Sequence, residues 1–133
     1  MAGPRRCCLG KYVEWIEHKG VRILFMNGKG LAEAENFAAQ DELKQELLRD
    51  RSSPPVLVDL SNTVMTQKTS SKSKEVAAAT KAEGIPDGPS AIVGLNKLQK
   101  AVAQLFGRGA HYFDSIDQAK EWLVQQDDKR QKR

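Results

Sequence analysis

The sequence predicts an α/β fold: one mixed sheet, antiparallel at its first strand and otherwise mainly parallel, with helices packed on it. Three observations predict this. Short apolar stretches of strand length alternate with segments of helical spacing from residue 28 onward. Two of those stretches, "VLVDL" (56–60) and "AIVGL" (91–95), are almost continuously apolar, as strands covered on both faces are. The first stretch, "KYVEWIEH" (11–18), instead alternates, and only Lys19-Gly20 separates it from the next, which reads as a hairpin.

Each element follows from its residues. Tyr12, Glu14, Ile16 and His18 fall on one side of the first strand, with Val13, Trp15 and Glu17 on the other. "VRILFMN" (21–27) is the second strand, ended by "GKG" at 28–30. Residues 31–50 have helical spacing, with Leu31, Ala34, Phe37, Ala38 and Leu48 on one face. Leu43 and Leu47 lie off that face, and a bend near Gln40-Asp41 would reconcile the two sets. "SKEVAAATKAE" (73–83) is a helix for which Ser71 or Ser73 is the expected cap. Leu95, Leu98, Val102, Leu105 and Phe106 continue a helix to Gly107, and "AHYF" (110–113) is the last strand. Ser115 and Gln118 form a capping box for a final helix that turns Ile116, Ala119, Trp122 and Leu123 inward. The order is β-β-α-β-α-β-α-β-α.

Charge and cysteine usage narrow the function classes. The net charge is +4, but Arg5 and Arg6 at one end and Lys129, Arg130, Lys132 and Arg133 at the other supply the excess. Over residues 11–126 acidic and basic residues are equal in number, with no basic stripe and no aromatics interleaved with lysines, so specific nucleic-acid binding is not expected. We expect flexible basic tails at 1–10 and 127–133 around one domain at 11–126. Cys7 and Cys8 are adjacent, which no disulfide framework uses, and no apolar run follows the N-terminal arginines or is long enough to span a membrane. A cytoplasmic setting is expected.

Ligands of open parallel sheets meet the carboxyl ends of the strands. Those ends are Asn27 to Gly30, Asp59 to Ser73, Gly94-Leu95-Asn96-Lys97 and Asp114-Ser115. Asp59, Ser61, Asn96 and Lys97 are the candidate rim contacts. "GKG" lacks both spacings that mark phosphate-binding loops. Neither His18 nor His111 has a cysteine or carboxylate at a metal-ligand spacing, and no G-x-S-x-G elbow or base accompanies Ser61 or Ser71. Neither catalytic nor metal-binding residues are expected, and no cofactor. What remains is the hydroxyl-rich segment after Asp59, with Ser70 and Ser71 among the lysines 68, 72 and 74. A phosphate there would gain from the helix dipole.

The element order, with "VLVDLSNT", "SAIVGLNKLQKAVAQLF" and the closing "YFDSIDQAKEWL", resembles the anti-sigma-factor antagonist (STAS) superfamily. It is most similar to its SpoIIAA-like branch, whose members often end in a helix bearing A-x-x-W-L, here Ala119, Trp122 and Leu123. The resemblance covers about residues 11 to 125. It implies a non-enzymatic regulatory module that binds a protein partner and is switched by phosphorylation. The antagonists' Asp-Ser-Ser-Gly motif has its nearest match at Thr69-Ser70-Ser71-Lys72, with the serine pair kept and the flanking acid and glycine absent. Ser70 and Ser71 are thus the phosphorylation or partner-contact candidates. The alternative is a carrier of a small lipid-like or anionic ligand on the same fold; a homodimer stays open.

Overall fold

The computed structural model describes residues 12–64, 66–85, 88–95 and 110–131. The N-terminal tail with Cys7 and Cys8, the candidates Asn96 and Lys97, and the helix expected up to Gly107 lie outside the described residues. Five strands form one sheet: β1 (Val13–His18), β2 (Val21–Asn27), β3 (Val56–Asp59), β4 (Ser90–Val93) and β5 (Ala110–Phe113). Among the described residues three helices accompany it: α1 (Glu33–Asp50), α2 (Gln67–Ala82) and α3 (Ile116–Gln131). Strands lie side by side in chain order; β1 and β2 are antiparallel and every later pair is parallel. The hairpin turns on Lys19 (φ 51°) and Gly20 (φ 82°). Two consecutive left-handed residues match the twist of a two-residue hairpin, and the glycine takes that conformation without cost.

The crossovers explain the layers. Strands stepping one way across a sheet through right-handed connections place their helices on one face. Thus α1, between β2 and β3, and α2, between β3 and β4, share a face. Leu24, Met26 and Val56 pack there with Ala39, Leu43 and Leu47 of α1. The alternate residues Ile23, Leu57, Ala91 and Val93 face the other way and bury Ala119 and Leu123 of α3. Leu57 is completely buried, as a strand covered on both faces requires. Trp122 rests on His111 and Phe113, with ring centroids 4.3 and 5.5 Å away. Ser115 Oγ accepts the Gln118 N–H at 3.2 Å, capping α3. The helix then runs to Gln131, through most of the stretch expected as a C-terminal tail. Asp127 is buried, and Arg130 donates to the Ser53 carbonyl at 2.9 Å.

The inward face of α1 differs from the expected one. It is one helix from Glu33 to Asp50, and it buries Asn36, Ala39, Gln40 and Glu46, with Leu43 and Leu47 packed against the core. Ala34 and Ala38 are exposed, and Phe37 and Leu48 only half-buried. Three polar residues occupy the core stripe because each finds partners, so hydrophobic spacing alone selected the wrong face. Glu46, 4 % exposed, accepts the Trp15 indole N–H at 2.8 Å and pairs with Arg49. Glu42 accepts the N–H groups of Tyr12 and Val13, tying α1 to the start of β1.

Burial pushes the Glu46 carboxyl up, but the hydrogen bonds from Arg49 and Trp15 outweigh it and hold the group below its ordinary 4.5. A carboxyl lowered by folding adds stability above its unfolded pKa and loses it as pH falls through the folded value. Glu46→Gln should therefore cost about 1–3 kcal/mol at neutral pH. The gap from wild type should narrow below pH 4.5 in urea unfolding followed across pH.

Candidate functional site

The rim at the carboxyl ends of β2, β3 and β4 is laced together by the backbone. Gly28 donates to the Asp59 carbonyl at 2.8 Å, Gly30 to that of Ser61 at 2.8 Å, and Leu60 to that of Val93 at 2.9 Å. Asp59 is buried, and its Oδ1 accepts both the backbone N–H and the hydroxyl of Ser61, at 2.9 and 2.7 Å. This is an aspartate closing the turn that follows it. Gly94, at φ +93°, lies against the same turn: a Cβ built on it would fall 2.3 Å from Ser61 Oγ and 2.4 Å from Ser61 N. The structure thus brings Asp59 and Ser61 together as a structural pair. His18 is bound to Glu121 at 2.7 Å instead, and His111 stacks on Trp122. Among the described residues no cluster of His, Cys, Asp or Glu could hold a metal ion.

The hydroxyl-rich segment becomes helix at Gln67. Thr66, and neither Ser71 nor Ser73, is the N-cap of α2. Its Oγ1 accepts the Thr69 N–H at 3.2 Å while Thr69 Oγ1 accepts the Thr66 N–H at 2.8 Å. The Thr66 hydroxyl donates in turn to Glu33 Oε2 at 2.7 Å, joining the first turns of α2 and α1. This reciprocal pair could have been read from the Thr-x-x-Thr spacing, but the lack of apolar residues over 66–75 concealed the first turns of the helix. Its start separates the two serines. Ser70 is 6 % exposed, and its N–H bonds the Thr66 carbonyl; Ser71 is exposed one position on.

Polar contacts fasten α2 to α1. Gln40 Nε2 donates to Asn36 Oδ1 at 2.7 Å and to the Thr69 carbonyl at 3.0 Å, and its Oε1 accepts the Ser73 hydroxyl at 2.9 Å. Lys72 pairs with Asp41 at 2.6 Å, and that hydrogen bond raises the lysine's pKa. Val76 is the one buried apolar side chain of α2 larger than alanine. Beneath this contact lies a cavity of about 110 Å³, lined by Gln40, Thr69 and Ser73 and by Met26, Val58 and Ile92 of the sheet.

A larger cavity, about 320 Å³, opens at the opposite edge, where β2 and β3 begin. Trp15, Arg22, Ser52, Pro55, Asp127 and Arg130 line it. The Arg22 guanidinium lies 4.0 Å over the Trp15 ring. Arg130 bonds the Ser53 carbonyl and Asp127 Oδ1, each at 2.9 Å, yet its Nε is buried without a hydrogen-bond partner. Such a group costs about 1–3 kcal/mol. Sequence reasoning missed this edge, giving Asp127 and Arg130 to a tail. The i, i+3 spacing of that pair, in step with Leu123, was the available signal.

No family model matches the chain, and no curated protein does. A search of solved structures finds the crystal structure of an uncharacterized protein from the DUF3478 family with a SpoIIAA-like fold, from Shewanella loihica PV-4. It is similar at a TM-score of 0.60 and 16 % sequence identity, over 92 % of this chain and 98 % of that one. The likeness shows the fold: the mixed five-stranded sheet read from the sequence is of the SpoIIAA-like type.

Proposed function

Proceeding from a SpoIIAA-like fold, we propose that the protein is a non-enzymatic regulatory module of the cytoplasm that binds a protein partner through α2 and the adjoining rim, with Ser71 the residue open to phosphorylation. The observation that carries this reading is the way α2 is held. It exposes Lys68, Ser71, Lys74, Glu75 and Ala78 along one side and is joined to α1 mainly by hydrogen bonds. Such a helix is a surface for contact more than a wall of the core. Ser71 lies five residues past the Thr66 cap, so a phosphate there meets the exposed Lys68 and Lys74 on the same side of the helix more than the helix terminus. No helix among the described residues is long and apolar enough to cross a membrane.

The test is Ser71→Asp against Ser71→Ala. Because Thr66 is the cap, Ser71→Ala should change stability by no more than about 0.5 kcal/mol, and Ser71→Asp by less than about 1 kcal/mol in either direction. Partner capture from native extract should survive Ser71→Ala and drop at least tenfold (about 1.4 kcal/mol) with Ser71→Asp. Equal capture by both variants would make this face a spacer and sink the reading.

The cavity beneath α2 favours a second reading, a carrier of a small lipid-like ligand. Its lining is largely apolar, but about 110 Å³ falls below the roughly 300–1,000 Å³ of ordinary ligand pockets. Entry would require α2 to lift from α1. Native mass spectrometry of freshly purified protein separates the readings, since a stoichiometric small molecule supports the carrier and bare protein supports the interaction module.

A further inference from the structure

We propose that the cavity at the amino ends of β2 and β3 binds a small oxyanion, a carboxylate or phosphate group, between Arg22 and Arg130. This site lies at the edge opposite the rim and does not depend on what binds there. Its volume of about 320 Å³ is within the range of small-ligand pockets, roughly 300–1,000 Å³.

The donors are unevenly used. Arg130 is locked by two of its nitrogens, Nη1 on the Ser53 carbonyl and Nη2 on Asp127, and its buried Nε has no hydrogen-bond partner. Arg22 has its guanidinium carbon 4.0 Å over the Trp15 ring, and its ion pair with Asp50 spans 3.9 Å, beyond hydrogen-bonding length. Its N–H groups are therefore oriented but not consumed. The wall between the arginines includes Pro54 and Pro55, which have no N–H, and the Pro55 carbonyl is already taken by the Leu24 N–H at 2.9 Å. The Ser52 N–H and hydroxyl are committed to Asp50 and the Trp15 indole N–H to Glu46, so the side-chain donors left to a bound anion are the two guanidinium groups. Asp127 shares the cavity and offsets one positive charge, which suits a ligand presenting one oxyanion better than a polyanion.

The experiment follows the Trp15 indole N–H and the arginine Nε–H resonances of the full ¹⁵N-labelled chain. The probes are sodium acetate, inorganic phosphate and a C-terminally amidated Asp-Glu peptide, at ionic strength held constant with chloride. Saturable shifts at Trp15 and Arg130 are expected, with dissociation constants of about 0.1–10 mM, the strength of one or two charge-assisted hydrogen bonds in an open site. Arg22→Gln and Arg130→Gln should each weaken binding about tenfold or more, while Lys19→Gln leaves it unchanged. Arg22 is exposed, so its variant stays folded and keeps the test valid if Arg130→Gln does not. A peptide binding about tenfold tighter than acetate supports the site with a partner's acidic side chain as the source, and equal binding supports it with a free small ion. Shifts that never saturate, or that saturate alike in wild type and Arg22→Gln, overturn the proposal.

Discussion

Gly94→Ala should cost about 3–5 kcal/mol of stability, because it combines left-handed strain with a clash that has no soft side. At φ +93° an alanine is strained before it meets a neighbour, and its methyl would then lie 2.4 Å from Ser61 N and 2.6 Å from Ser61 Cα. Those atoms cannot rotate away. They belong to the turn closed by Asp59, so relief must pull β4 from β3 or break the Asp59–Ser61 pair. Gly20→Ala isolates the backbone strain, since Gly20 also has positive φ (82°) but nothing within 4 Å of a built Cβ, and the difference between the two variants measures the clash. It should lose only about 1–2 kcal/mol. The check is the urea midpoint of each variant by circular dichroism; equal losses would show that the rim yields and that β3 and β4 are not rigidly joined there.

Gln40→Glu should be nearly as damaging at neutral pH, about 3–5 kcal/mol, without any change of volume. The amide N–H groups now facing Asn36 Oδ1 and the Thr69 carbonyl would become a carboxylate oxygen facing two acceptors, in a buried position. The damage should be local as well as global. The amides of α2 should exchange with solvent faster than those of α3, whose hold on the sheet depends on Ala119 and Leu123. A variant whose α2 amides stay as protected as in wild type would show that Val76 and the loops, and not Gln40, secure the helix.

Much of the fold was legible because strands announce themselves through what they bury. "VLVDL" and "AIVGL" face cover on both sides, and Val56 and Leu57 are buried against opposite layers as expected. The helix of Ile116, Ala119, Trp122 and Leu123 likewise pointed the right way. Reading failed where polar groups do the packing. Asn36, Gln40 and Glu46 fill the inward stripe of α1, and Thr66 starts a helix inside a run of hydroxyls and lysines. Their burial is stabilised by partners distant in sequence, such as Gln40 with Thr69 and Glu46 with Trp15, which no local spacing reveals. The same blindness left Ser70 and Ser71 undistinguished. Their neighbourhood at the rim was legible, but which hydroxyl faces water depends on where α2 begins. Arg22 and Arg130, far apart along the chain, meet only through the sheet's amino edge.

The sequential arrangement of the strands also bears on how the chain is made. Every strand after the first lies beside the one synthesised just before it. A ribosome releasing the chain from its N-terminus therefore presents each new strand to an edge that already exists, and no earlier pairing must open to admit it. The β1–β2 hairpin, joined by two residues, forms in microseconds. That leaves tens of milliseconds to spare before each further residue emerges at about 5–20 per second. Unlike sheets whose middle strand comes last, this one grows in one direction from its hairpin, with β1 as a fixed edge and each new strand added at the other.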